Sequence, residues 1–261
     1  MVREVPRGAR GSPRVGLFVT CLVDAMRPSI GFAAIALLEA AGCRVEVPLD
    51  QTCCGQPALN SGDREGARRV AKRTIALLEP FEHVVVPSGS CAATIRVHYG
   101  ELFDDDPAWH ARADAVAGRT YELLSYLMDM RGWLPERVSL SATATYHDSC
   151  SGLRELGIEA QPRRLLARVD GLSLRPLEGS TTCCGFGGTF CVKYPAISNA
   201  IVEEKAQMIE ATGADLLLGG DLGCLMNMAG KLHRRGAATR AFHAAEILAA
   251  MGGGPAIGEV E

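Results

Sequence analysis

Residues 182–188 read TCCGFGG, two adjacent cysteines followed directly by a glycine-rich loop. Residues 52–56, TCCGQ, repeat the core of this stretch. One further cysteine precedes each Cys-Cys-Gly triplet and another follows it, at nearly matched offsets in the two copies. Internal repetition of this kind indicates that one structural unit occurs twice. We therefore expect two copies of one scaffold, each organised around a set of thiols.

Eight of the ten cysteines belong to this repeat, and all eight are predicted to be metal ligands. The first thiol set comprises Cys21, Cys53, Cys54 and Cys91, and the second thiol set comprises Cys150, Cys183, Cys184 and Cys224. Cys43 is predicted to be a small buried side chain. Cys191 has no counterpart in the first copy and is predicted to be incidental.

The composition limits the class of protein. The chain has 261 residues, of which 48% are hydrophobic, so it can bury a substantial core. A net charge of −3 gives no electrostatic reason to expect a nucleic-acid partner. The longest apolar stretch, residues 30–41, contains Glu39 and is shorter than the roughly 20 residues of a membrane span. This cysteine pattern is typical of metal binding or catalysis in a reducing cytoplasm, the predicted location.

Hydrophobic runs predict strands and helices that alternate along each copy. In the first copy the predicted strands are 15–20, 44–47 and 83–86, with helices at 30–41 and 62–78. In the second copy they are 143–147, 172–177 and 216–218, with helices at 162–169, 197–211 and 244–251. Alternation of this kind implies parallel strands joined by crossover helices. The predicted fold is α/β, with two pseudo-repeated parallel-sheet halves and cysteines at the C-terminal ends of strands.

The same patterns predict the domain limits. Residues 15–103 form the first repeat and residues 141–251 the second. Between them, residues 104–140 are predicted to be a connector built on one helix from about 109 to 130. Residues 1–14 are predicted to be a disordered tail, and residues 252–261, which begin with Gly-Gly-Gly-Pro, a flexible one.

Thiolates favour iron–sulfur clusters, zinc and copper(I). Four cysteines from three loops can surround one cluster, and a 4Fe-4S cluster needs four such ligands. The adjacent glycines are predicted to let the backbone donate N–H groups to cluster sulfurs, with tight turning as the alternative. These glycines are Gly55, Gly185, Gly187 and Gly188. Zinc in one half remains an alternative, although the chain lacks the Cys-x-x-Cys pairs usual in zinc sites.

His147 lies three positions before Cys150. Its imidazole could be a metal ligand, a proton relay or a hydrogen-bond donor to a sulfur, or it could be a structural residue at the end of a strand. Of these alternatives, the sequence favours the structural residue.

The paired pattern resembles the cysteine-rich CCG family, in which Cys, Cys-Cys-Gly and Cys-x-x-Cys occur in this order twice. Its members include the cysteine-rich subunit of heterodisulfide reductase, the iron–sulfur subunits of glycolate and glycerol-3-phosphate oxidation, and the lactate utilization protein A group. The resemblance extends from Cys21 to Cys224. Residues 146–150, YHDSC, and residues 183–190, CCGFGGTF, look most like the lactate utilization group.

That resemblance implies an iron–sulfur electron-transfer subunit of a complex that oxidises L-lactate, a small 2-hydroxy acid, to pyruvate. It also implies two partner subunits, one of which carries ferredoxin-like clusters. The chain departs from the family pattern at Thr94 and Asn227, where the last cysteine of each Cys-x-x-Cys would stand. Each half therefore offers four thiolates, which disfavours the non-cubane cluster associated with a fifth. The alternatives are a heterodisulfide-reductase-like thiol/disulfide subunit and a zinc-stabilised scaffold subunit.

Overall fold

The computed structural model describes residues 11–259, so residues 1–10 of the predicted N-terminal tail lie outside it. We call residues 14–130 the first half and residues 139–259 the second half. The elements of the first half are β1 (Arg14–Leu17), α1 (Cys21–Met26), α2 (Pro28–Ala40), β2 (Arg44–Glu46), α3 (Gln56–Asn60), α4 (Arg64–Leu78), β3 (His83–Val86), α5 (Gly89–Ala93), a π-helical turn (Thr94–His98), α6 (Tyr99–Glu101), α7 (Pro107–Ala117), β4 (Thr120–Glu122), α8 (Leu123–Ser125) and a second π-helical turn (Tyr126–Met130).

The second half repeats this arrangement with fewer helices. Its elements are β5 (Ser139–His147), α9 (Cys150–Arg154), α10 (Ala160–Leu166), β6 (Asp170–Leu174), α11 (Phe190–Lys193), α12 (Pro195–Ala211), β7 (Leu216–Gly219), α13 (Leu222–Arg235), β8 (Arg240–His243) and α14 (Ala244–Leu248). Among residues 11–259, no helix combines the length and apolar character required to cross a membrane.

Each half contains a four-stranded sheet in which all neighbouring strands are parallel. The strand orders are β2-β1-β3-β4 and β6-β5-β7-β8. The central strands are apolar because helices cover both sheet faces; Val84, Val85 and Val86 of β3 are fully buried. The predicted α/β fold with two parallel-sheet halves is confirmed. In both sheets the chain runs from the first strand to an edge strand on one side and then continues on the other side of the first strand. Open α/β sheets form ligand crevices at this switch point between the two central strands.

The two halves share a hydrophobic core. Leu37 of α2 and Leu17 of β1 belong to the same buried cluster as Phe242 of β8 and Ile247 of α14. An ion pair joins the halves beside this core, with the Arg27 Nε 2.8 Å from an oxygen of the buried Glu246. The halves therefore pack as one body, and the sites at the ends of their strands are held in a defined relation.

The prediction of one connector helix over residues 109–130 is wrong. Helix α7 ends at Ala117, and the chain then forms β4, which pairs with β3 through Val84 and Thr120. Three residues are too few for a strand to show a hydrophobic period. Its burial comes from pairing with β3, a contact distant in sequence. The connector thus supplies the edge strand of the first sheet.

Strand β8 is the equivalent edge strand of the second sheet, and the sequence analysis missed it. The termini also differ from the simple tails that were expected. Arg14 already belongs to β1 and forms a bidentate pair with Glu46. Near the C-terminus, Ile257 is buried and its N–H donates to the Ala241 carbonyl of β8 at 2.9 Å. Within residues 252–259, this segment is therefore packed on the edge of the second sheet.

Candidate metal centres

The first thiol set converges at the C-terminal edge of the first sheet. Cys21 begins α1 after β1, Cys53 and Cys54 lie in the loop after β2, and Cys91 lies in α5 after β3. The thiols form a chain of contacts: Cys21 with Cys53, Cys53 with Cys54, and Cys54 with Cys91, the last at 3.4 Å between sulfurs. The fold thus brings together four thiols from three separate loops.

The second thiol set has the same arrangement. Cys150 begins α9 after β5, and Cys224 lies in the first turn of α13 after β7. Cys183 contacts Cys150 and Cys184, and Cys184 contacts Cys224. All ten cysteines lie in the described part of the chain, and all are free thiols there. Each set is therefore available as a group of four soft donors.

One thiol in each set is held as a thiolate. The hydrogen bonds from Cys21 and Cys54 lower the pKa of Cys53 to about 2, because they stabilise its negative charge. Cys183 has the same lowered pKa, about 2, because Cys150 and Cys184 donate to it. The thiolate is the form of cysteine that binds metals and acts as a nucleophile. Each set therefore contains a cysteine in the form required for metal binding or for nucleophilic attack.

The predicted glycines fall into two groups. The N–H of Gly55 points to the sulfur of Cys53 at 3.4 Å, and that of Gly185 to the sulfur of Cys183 at 3.3 Å. Both residues have positive φ, 89° and 81°. At Gly185 a Cβ would also lie 2.7 Å from the carbonyl oxygen of Ser198, so this turn requires glycine. These two glycines hold the thiolates of the Cys-Cys pairs.

Gly187 and Gly188 make no such contact with a cysteine of the second set. Gly187 allows a turn against Phe190, whose Cβ would lie 2.8 Å from a Cβ added at position 187. The Gly188 carbonyl accepts a hydrogen bond from the thiol of Cys191 at 3.3 Å. The thiol of Cys191 thus bonds to the backbone of this loop.

A cavity of about 220 Å³ opens beside the first thiol set. Its walls include all four thiols of that set and, from the second half, Phe186, Gly188, Thr189, Val192 and Asp221. Cys21 is exposed, whereas Cys54 is buried at the back. The loop after the second Cys-Cys pair therefore covers the first site, and the site lies where the two halves meet.

Asp221 joins the two sites directly, a role that sequence reasoning missed. Its buried carboxylate accepts hydrogen bonds from the Ser88 hydroxyl at 2.9 Å, the Ser90 N–H at 3.0 Å and the Ser90 hydroxyl at 2.7 Å. It also caps α13 by accepting from the N–H of Cys224. Ser88 in turn caps α5 by accepting from the N–H of Cys91. One carboxylate thus fixes the helices that carry the last cysteine of each set.

The two departures from the family pattern have structural roles. The Asn227 amide donates to the carbonyl of Cys184 at 2.8 Å. In the first half the same task falls to the Tyr99 hydroxyl, which donates to the carbonyl of Cys54 at 2.7 Å. Thr94 donates to the carbonyl of Ser90 at 2.9 Å instead. At Asn227, a hydrogen bond to the Cys-Cys loop therefore stands where a further thiolate would be expected.

The surroundings of the two sets differ. His147, at the end of β5, is 1% exposed. An imidazole nitrogen of His147 and the sulfurs of Cys184 and Cys224 all lie within 4.8 Å of one another. Burial, and then the nearby Lys205 amine, lower the pKa of His147 to about 4. Lys205 itself is fully buried and donates to the carbonyls of Gly179 and Ser180.

Comparison with known proteins places the repeat in a family. A model of the cysteine-rich CCG domain matches residues 15–96 and 144–229, which contain both thiol sets. A solved structure described as a hypothetical protein from Helicobacter pylori aligns with 97% of this chain and 50% of its own length. Its TM-score is 0.66 at 14% identity, a similarity that supports the fold alone.

Curated relatives extend the match to most of the chain. Lactate utilization protein A from Exiguobacterium sp. is 48% identical over 238 residues, covering 90% of this chain and 97% of its own. The protein of the same name from Shouchella clausii is 48% identical over 234 residues, and lactate utilization protein A 2 from Bacillus cereus strain 03BB102 is 44% identical over 236 residues. The chain therefore belongs to the cysteine-rich CCG domain family, within the lactate utilization protein A group.

Proposed function

We propose that this protein is an iron–sulfur electron-transfer subunit in the oxidation of L-lactate to pyruvate. The observation that carries the proposal is the convergence of two sets of four thiols, each at the switch point between the two central strands of its sheet. The names of the relatives support lactate, a small 2-hydroxy acid, as the source of electrons. Soft thiolate donors from three loops fit an iron–sulfur cluster, including the four-iron type.

The two thiol sets and the residues around them have different roles in this proposal. The thiols of the first set would hold one cluster and those of the second set another, with Gly55 and Gly185 stabilising the charge on Cys53 and Cys183. When bound, such clusters would supply one-electron acceptors and donors. Asp221 fixes the distance between the two sets by binding both helices.

Oxidation of lactate releases two electrons and two protons, and an electron-transfer subunit receives such electrons from one protein and passes them to another. We propose two partners from the same lactate utilization system, one of them carrying ferredoxin-like clusters. We also place the protein in the cytoplasm, where reducing conditions keep free thiols available to metals.

Metal analysis of protein purified without oxygen tests the proposal. We expect about eight irons and eight sulfides per chain, that is, about four of each per site. Cys53→Ser and Cys183→Ser are expected to lose about half each, because each removes the ionised thiolate of one set. Cys191→Ser is the matched control and is expected to keep the full content. EPR of the reduced protein should show the loss of one signal in each of the first two variants.

Two results would overturn the proposal and identify the alternatives. Zinc without sulfide would indicate a zinc-stabilised scaffold subunit. Absence of metal, with Cys53 and Cys183 reacting with alkylating reagents near neutral pH, would indicate a thiol/disulfide subunit, because both are nucleophilic thiolates.

A further inference from the structure

The second thiol set contains a buried histidine that has no counterpart in the first. His147 lies three positions before Cys150, and Phe18 lies three positions before Cys21. Both side chains are buried, at 1% and 0% exposure. The repeat therefore places an imidazole in the second half where the first half has an apolar ring, at the same position relative to the first thiol of the set.

The imidazole of His147 lacks a hydrogen-bond partner. Neither Nδ1 nor Nε2 is bonded to any group within residues 11–259. Buried polar atoms are nearly always paired, so a histidine with two unpaired nitrogens indicates a missing ligand or partner. A satisfied structural histidine, one of the sequence-based alternatives, does not fit this geometry.

The charged neighbours of His147 are already engaged elsewhere. Lys205 donates to the carbonyls of Gly179 and Ser180. The carboxylate of Asp148 is bound by both terminal nitrogens of Arg163, at 2.7 and 2.6 Å. The metal-binding groups near the imidazole are the thiols of Cys184 and Cys224, whose sulfurs lie within 4.8 Å of one of its nitrogens. The unpaired nitrogens thus lie beside two predicted metal ligands.

We propose that His147 is a metal ligand of the second site, which makes that site a mixed nitrogen–sulfur centre while the first is an all-thiolate centre. Imidazole is a ligand that iron and zinc accept alongside thiolate. The inference rests on the proposed function in one respect, that a metal occupies the second thiol set. The inference goes beyond the proposed function because it distinguishes the two sites, which the cysteine repeat alone makes equivalent.

An imidazole ligand changes the electronic character of a centre. If the imidazole takes the place of one of the four thiolates, the centre carries one negative charge less and its reduction potential is higher, as in iron–sulfur centres with histidine ligands.

The test isolates the second site in a Cys53→Ser background. Reduced protein is examined by pulsed EPR, with histidine labelled with ¹⁵N to identify the nitrogen. We expect a strong nitrogen coupling of a directly bound imidazole, which disappears in His147→Phe, the residue found at position 18. His98→Phe changes a partly exposed histidine whose Nε2 pairs with Glu155 at 2.6 Å; it is the control and should keep the coupling.

The outcomes separate this inference from the proposed function. Iron and sulfide in the second site without coupling to labelled histidine would overturn the inference and leave the iron–sulfur proposal intact. Coupling that persists in His147→Phe would overturn it as well. If the site holds zinc, X-ray absorption that finds a nitrogen neighbour lost in His147→Phe supports the inference and refutes the iron proposal. Because the labelled parent gives a result by itself, misfolding of the variant does not remove the test.

Discussion

Glu122 is a carboxylic acid buried at the junction of the two halves. It ends β4 and caps α8, with one oxygen accepting the N–H of Ser125 at 2.9 Å. Its other oxygen, Oε1, has no partner within the described range of the chain. Burial raises the pKa of Glu122 from 4.5 to about 7, because the charged form is poorly solvated there. Nearby Asp221 acts in the same direction. We predict that Glu122→Gln stabilises the protein above neutral pH.

The sign and size of the effect of Glu122→Gln on the free energy of unfolding follow from proton linkage. The native state binds the proton of Glu122 more tightly than the unfolded state does. The contribution of this proton to the free energy of unfolding is therefore complete below pH 4.5 and is lost as the pH rises through 7. Each pKa unit corresponds to about 1.4 kcal/mol. Relative to a protein in which Glu122 stays protonated in both states, the free energy of unfolding is therefore lower by about 1.4 kcal/mol at pH 5.5, where mainly the unfolded state ionises, and by about 3.4 kcal/mol at pH 8.5, where both states ionise. Glutamine keeps the Ser125 hydrogen bond and carries no charge, so the stability difference should grow by about 2 kcal/mol across this range.

Urea unfolding followed by circular dichroism measures this difference, with wild type and variant at the same metal loading. With a slope of about 3 kcal/mol per molar, 2 kcal/mol corresponds to a midpoint difference of about 0.7 M that develops between pH 5.5 and 8.5. Glu79→Gln is the control. Arg112 lowers the pKa of Glu79, which is thus ionised throughout this range, and its effect on stability should not vary with pH. Parallel stability curves for wild type and Glu122→Gln would refute the reasoning.

Two further stability predictions concern the loops that hold the thiols. Asp221→Ala removes three hydrogen bonds between the halves and a helix cap, and should lower the free energy of unfolding by about 3–5 kcal/mol. Asp215→Ala, at an exposed carboxylate that binds Thr143, should lower it much less, and equal urea midpoints for the two variants would contradict this. Gly185→Ala places a Cβ 2.7 Å from a carbonyl oxygen and should cost more than 2 kcal/mol, whereas Gly157→Ala, with similar positive φ and open space, should cost about 1–2 kcal/mol. Thermal melting compares them, and equal losses would exclude the close contact at Gly185 as the cause.

The positions of the thiols could be predicted from sequence because two local features determine them. Short apolar runs mark the central strands, and a cysteine follows each run at the sheet edge where parallel strands end. The repeat then shows which cysteines correspond. The edge strands β4 and β8 escaped because β4 has only three residues and β8 contains both Arg240 and His243, so neither shows a strand pattern.

The connection between the sites depends on contacts that no local pattern reveals. Asp221, three positions before Cys224, caps α13 by a contact that is local in sequence. The same carboxylate also binds Ser88 and Ser90, which lie far away in sequence. The sequence likewise shows His147 near Cys150, but only the fold places its imidazole beside Cys184 and Cys224 and leaves both nitrogens unpaired.

The two halves have kept the backbone that holds the thiols and have diverged in the side chains around it. Gly55 and Gly185 make the same bond to a thiolate, and Tyr99 and Asn227 hold the same carbonyl by different means. Around the first set the neighbouring buried rings are apolar or neutral, whereas the second set has an unpaired imidazole and a buried amine. A repeat that served only to bind two identical centres would gain nothing from burying these polar groups, because each one costs solvation free energy. The asymmetry is therefore best explained by different tasks for the two sites.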